Sequence, residues 1–109
     1  MYYLYIILRE DCPYSKNLVK LLKDNKIDFD SITVNMEEKE KYKTDLIKTF
    51  PQVYLKSLST HDSILIGGYD TVKSLIDNNN FDELTKNLSD KIKLKLKLIL
   101  KGHKIINIK

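Results

Sequence analysis

Residues 3–8, Y-L-Y-I-I-L, are apolar or aromatic at every position. A short unbroken run of this kind predicts a central strand covered on both faces. From residue 14 to 25 the pattern changes: Leu18, Val19, Leu21 and Leu22 recur at helical spacing, with Lys16, Lys20 and Lys23 on the wetter side. Pro13 suits the first turn of that helix, where a missing N–H costs nothing, and Asn25 suits its end. Ile32, Val34 and Met36 alternate and predict a second strand, parallel to the first because the helix between them is long enough for a crossover. Glu37 to Lys48 is charged, acidic at its start and basic at its end, which matches a helix dipole. Tyr42, Leu46 and Ile47 would face inward.

Thr49-Phe50-Pro51 interrupts the chain, and Gln52 to Lys56 predicts a third strand. The polar stretch 57–63 reads as a turn into a very short strand, Ile64 to Ile66, paired antiparallel to the third. Gly67-Gly68 breaks the chain sharply. A helix then starts near Tyr69, with Asp70 or Thr71 as its cap and Val72, Leu75 and Ile76 at helical spacing. Asn78 to Asn80 ends it. Asp82 is placed to cap a last short helix carrying Leu84 and Leu88. These elements predict an α/β fold, one small four-stranded mixed sheet with helices on both faces.

The end of the chain follows another rhythm. From Lys91 to Leu98 lysine and an aliphatic residue alternate, K-I-K-L-K-L-K-L. Period two predicts a strand with one greasy and one lysine face. Gly102-His103 would turn it into a returning strand over Lys104 to Ile108, giving a lysine-rich β-hairpin-like extension or an added edge packed on the 1–90 domain. A leucine-rich helix is the competing reading. Charge divides at the same place. The formal net charge is +4. Residues 1–90 carry 12 basic and 15 acidic groups, whereas residues 91–109 carry 7 lysines and no acid. The basic balance thus belongs to the tail. It lacks arginine and aromatic residues for stacking on bases, and a solvated, lysine-protected edge is its plain reading. A dimer contact through its aliphatic face, or contact with nucleic acid, an anionic membrane or an acidic protein, is the sharper one.

At 109 residues the chain fits one domain. The N-terminus shows no basic region or cleavage site of a signal peptide, no apolar run is long enough to span a bilayer, and a reducing, intracellular or cytoplasmic setting is expected. One cysteine, Cys12, excludes an internal disulfide and a multi-cysteine metal site within one chain. His61 and His103 have no metal-ligand spacing. A lone cysteine is commonly a small buried hydrophobe, but Arg9, Glu10, Asp11 and Ser15 around it argue for an exposed sulfur. Cys12 sits where a strand hands over to a helix. There, unpaired N–H groups and the positive end of the helix dipole favour a nucleophilic thiolate.

The blocks C-P-Y-S at 12–15, T-F-P-Q-V at 49–53 and G-G-Y-D at 67–70, in this order and with these elements between them, resemble a glutaredoxin over residues 2–88. The resemblance implies a thioredoxin-like fold and glutathione as co-substrate. Cys12 then matches the family's nucleophile. Pro51 matches its cis-proline, preceded by Thr49 and by Phe50, whose backbone would pair with the cysteinyl part of glutathione. Gly68, Tyr69 and Asp70 match the segment holding the glutamyl end. Arg9 and Gln52 fall where the glycyl carboxylate is met, and Tyr14 walls the groove. Ser15 stands where the common dithiol pattern has a second cysteine. The resemblance therefore implies a monothiol oxidoreductase acting on glutathionylated protein thiols, with Pro13 and Ser15 in support. Some single-cysteine members instead share a [2Fe–2S] cluster in a dimer, ligated by Cys12 and glutathione from each side. C-P-Y-S departs from the C-G-F-S of that group. A non-catalytic interaction protein of the same fold is the remaining alternative. Taken singly, Arg9 reads as a surface charge, Tyr14 and Tyr69 as half-buried tyrosines, and Gly67-Gly68 as a plain turn.

Overall fold

The computed structural model describes residues 2–102. Four strands form one mixed sheet: β1 (Tyr2–Arg9), β2 (Asp30–Val34), β3 (Gln52–Ser57) and β4 (Ser63–Gly67), in the spatial order β2-β1-β3-β4. β1 runs parallel to β2 and antiparallel to β3, and β3 and β4 form an antiparallel hairpin. The parallel step is carried by helix α1 (Pro13–Asp24), as its length requires. Helices α2 (Tyr69–Ile76), α3 (Phe81–Leu84) and α4 (Asp90–Leu100) follow the hairpin.

Period-two alternation sends Leu4 and Ile6 of β1 and Val53 and Leu55 of β3 into the main core. Leu18 and Leu22 of α1, Val72 and Leu75 of α2, Phe81 of α3 and four residues of α4 join the same cluster. All four helices therefore serve one face of the sheet. The expected helix on the other face, over 37–48, is reduced to a single 3₁₀ turn, Lys39–Tyr42. The smaller cluster there consists of Ile7, Val34 and Phe50 with Tyr5, Ile32, Tyr42 and Tyr54 packed against it. Leu46 is 82% exposed rather than inward. Side chains close the segment locally instead: Asn35 Oδ1 accepts from the N–H groups of Glu37 and Glu38, and Thr44 Oγ1 accepts from those of Leu46 and Ile47. Asn and Thr offer the backbone such alternatives to a helix ladder. The sequence over 37–48 has too few apolar positions on one side to outweigh them.

The second correction is at the tail. Residues 90–100 are a helix, not a strand of a hairpin. Ser89 caps it, its Oγ accepting from the Ile92 N–H at 3.4 Å, and Asp90 lies in its first turn. Leucine and lysine both favour helix. The residues it buries are Ile92, Leu96, Ile99 and Leu100, at helical spacing, and Leu94 is 58% exposed. Alternation over 91–98 hides this because two members of the buried set, Ile99 and Leu100, come after it ends. The returning strand expected over 104–108 lies outside the described residues.

Smaller differences follow the same logic. α2 is capped by Gly68, without help from the side chains of Asp70 or Thr71. α3 follows Asn80 rather than Asp82, and Asn78 and Asn80 hold the left-handed conformation that breaks the chain there. Leu84 is exposed.

Candidate functional site

β1 ends at Arg9, and Asp11, at φ 58°, turns the chain into α1. Cys12 is the N-cap residue of α1 and Pro13 its first helical residue. The Cys12 sulfur is thereby set at the mouth of the helix, where the first-turn N–H groups have no helical partners. Burial pushes the thiol pKa up. The N–H and hydroxyl of Ser15, the N–H of Tyr14 and the Arg9 guanidinium pull it down by more, and the result lies below the ordinary cysteine value. Ser15 is itself held: its Oγ accepts from the Arg9 N–H at 3.1 Å and the residue is buried.

Across from Cys12 lies the Phe50-Pro51 peptide bond, which is cis. The Cys12 thiol donates to the Phe50 carbonyl oxygen at 3.8 Å. These two segments and the start of α2 enclose an open groove of about 500 Å³, lined by Arg9, Cys12, Tyr14, Thr49, Phe50, Pro51, Gly68, Tyr69 and Asp70, together with Lys43, Lys48 and Thr71. The rings of Tyr14 and Tyr69 stand 6.1 Å apart, centroid to centroid, tilted by 51°. Gly67, at φ 143°, lets β4 turn into α2; a Cβ there would lie 2.8 Å from the Thr71 side chain. On Gly68 a Cβ would approach the Pro51 carbonyl oxygen to 3.4 Å, so the two walls are already close.

Two expected residues are placed differently. Cys12 is 4% exposed, not open to solvent as its charged neighbours suggest. It belongs to neither apolar cluster and forms part of the groove floor, so its sulfur is recessed rather than sealed in. Gln52 does not reach the groove. It is fully buried, with Nε2 donating to the Tyr42 carbonyl at 2.8 Å and Oε1 accepting from the Tyr54 hydroxyl at 3.0 Å. The β alternation decides this: Gln52 is on the sheet face opposite Val53, under the 3₁₀ turn. Its amide is consumed in tying that turn to the sheet.

Lys43, Lys48 and Thr71 were not foreseen. Lys43 and Lys48 read as the polar side of a helix that does not form. The loop that replaces it carries them to the groove. The only sequence signal is that Lys48 precedes the T-F-P block directly. With Arg9 they give the groove three cationic side chains against the single carboxylate of Asp70. Lys43 is paired with Glu40 at 2.8 Å. Arg9 Nε is buried with no hydrogen-bond partner, an unmet donor of the kind that a bound carboxylate satisfies. Among the described residues no group of three or more His, Cys, Asp or Glu side chains is placed to hold a metal ion.

The fold and the helix-mouth cysteine opposite a cis-proline define the class as thioredoxin-like. The solved structure of glutaredoxin 1 from Francisella tularensis, complexed with cacodylate, is similar with a TM-score of 0.58 and 23% sequence identity, over 72% of this chain and 95% of that one. The family model of glutaredoxin matches residues 1–58, more than half of the sequence, and the chain belongs to the glutaredoxin family. A comparison with curated proteins finds no match.

Proposed function

We propose that the protein is a glutathione-dependent thiol–disulfide oxidoreductase that releases protein thiols from mixed disulfides with glutathione, by a mechanism needing only Cys12. The observation that carries this reading is a thiol of lowered pKa on the floor of a groove whose charged side chains are three cations and one carboxylate. Glutathione brings two carboxylates and one ammonium group. Arg9, with its unpartnered Nε, and Lys48 suit the glycyl carboxylate. The backbone at Gly68–Asp70, at the start of α2, suits the glutamyl end, with N–H groups for its carboxylate and Asp70 for its ammonium. Tyr14 and Tyr69 flank the span between.

In the first step the Cys12 thiolate attacks the glutathionyl sulfur of the mixed disulfide. The old S–S bond breaks, the protein thiol departs as a thiolate and takes a proton from water, and Cys12 is left glutathionylated. In the second, a glutathione thiolate attacks that adduct, oxidised glutathione leaves, and Cys12 returns as a thiolate. Ionisation also removes the S–H from the Phe50 carbonyl, which becomes free to accept from the backbone of the bound tripeptide.

The decisive experiment is turnover of a glutathionylated peptide with glutathione and glutathione reductase, comparing the parent with Cys12→Ser. Turnover in the parent and none in the variant is expected. A parent that forms no glutathione adduct on Cys12, detected by intact mass, refutes the reading.

A further inference from the structure

Helix α4 presents a second surface that the groove does not explain. At 3.6 residues per turn, Ile92, Leu96, Ile99 and Leu100 fall on the side packed into the core. Leu94 and Leu98 fall on the opposite side. Lys91 and Lys95 border that leucine pair on one flank, and Lys97 and Lys101 on the other. Leu94 is 58% exposed, and Leu98 is partly exposed beside it. The outer face is thus a short apolar ridge between two rows of lysine.

Lys20 on α1, Lys73 on α2 and Lys86 just after α3 are tied to acids three or four positions away, at 2.8–3.0 Å, while Lys16 and Lys23 of α1 form no ion pair among the described residues. Among the described residues no lysine of α4 forms an ion pair. Lys97 lies over the Phe81 ring, 5.5 Å from its centroid, and shares a cleft with Asp82 and Glu83. Residues 91–109 contain no acid, whereas residues 1–90 are net acidic. Unpaired lysines on one exposed helix face attract an anionic surface.

We infer that this outer face of α4 docks the protein on an anionic lipid bilayer. The ridge lies beside two clefts that take in Lys97, Leu100 and Lys101 of this end of the chain but neither Leu94 nor Leu98. Its cations are flexible lysines, suited to a fluid array of acidic headgroups. Its two leucines have no role toward nucleic acid, and the helix offers neither arginine nor an aromatic ring to bases. No helix of the described residues is long and apolar enough to cross a membrane, so the contact is peripheral.

The test is co-sedimentation of the full chain with vesicles of phosphatidylcholine alone, or of phosphatidylcholine with about one-third phosphatidylserine, at low and physiological salt. The parent is expected to bind the phosphatidylserine vesicles at least about tenfold better, and to be released by salt. Combined Lys91→Gln, Lys95→Gln and Lys101→Gln removes most of that preference. Leu94→Ser, made alone, weakens binding severalfold and leaves the salt dependence in place. Circular dichroism and the Cys12 alkylation rate report that each variant is folded, and Leu94→Ser decides if the triple variant is not. Equal binding to both vesicle types overturns the inference. So does parent-like binding by the folded triple variant, or tighter binding to a single-stranded oligonucleotide or to polyglutamate than to the acidic vesicles.

Discussion

Cys12 and Arg9 in the groove and Gln52 beneath the 3₁₀ turn each make a separate prediction. Cys12 has a lowered pKa, for which Ser15 supplies both an N–H and a hydroxyl. The rate of alkylation by iodoacetamide should therefore rise at lower pH than for a free thiol, and Ser15→Ala should move that midpoint upward. The sign for stability follows from linkage: a depressed folded-state pKa contributes stability that is fully present above the unfolded-state pKa and is lost as pH falls through the folded value. The stability difference between the parent and Cys12→Ser should shrink on acidification across that interval, measured by urea denaturation. Arg9→Gln removes a charged hydrogen bond to the proposed carboxylate, a loss of about 1.5–3 kcal/mol, and should lower kcat/KM for a glutathionylated peptide by roughly tenfold or more. Gln52→Ala separates the two expectations for that residue. It leaves the Tyr42 carbonyl and the Tyr54 hydroxyl without their partner, which should cost about 1–3 kcal/mol per stranded group, and its affinity for glutathione adducts should stay close to the parent's.

At the scale of elements, legibility tracked how one-sided the local pattern is. β1, α1, β3 and the start of α2 carry unambiguous periods and punctuation, and Cys12 could be placed at a helix mouth from them, whereas Arg9, Pro51 and Gly68 pointed to a groove only through the resemblance of their sequence blocks to the glutaredoxins. Two elements misled for opposite reasons. Over 37–48 the charges imitate a helix, but Asn35 and Thr44 hold the backbone in turns and the segment has little to bury. Over 91–98 the alternation imitates a strand, and what overrides it is a core that needs Ile92, Leu96, Ile99 and Leu100 at helical spacing. The pair Leu94 and Leu96 tests this directly. A strand would have put both on one face. In the helix, Leu96→Ala should cost about 2–5 kcal/mol, while Leu94→Ala should stay within about 0.5 kcal/mol, as read from thermal or urea unfolding. The recess of Cys12 could not be read from its charged neighbours either, because it is imposed from across the groove by Phe50 and Pro51, far away in sequence.

At the scale of the whole molecule, the helices form one layer, and α4 completes it by supplying four of the main core's buried residues. Truncation after Ser89 should therefore abolish cooperative unfolding and expose apolar surface, seen as dye binding and loss of near-ultraviolet circular dichroism. Among the described residues, the opposite face of the sheet has only the 3₁₀ turn and the loop after it. That loop carries Lys43 and Lys48 to the groove without using them in the core. The division of labour matters for how such a protein diversifies. Where a packed helix borders a binding groove, each exchange on its polar side is constrained by the packing beneath. Here two of the groove's three cations are borne by a loop outside both apolar clusters, so exchanges at Lys43 and Lys48 are expected to alter the charge of the groove while the framework keeps its stability.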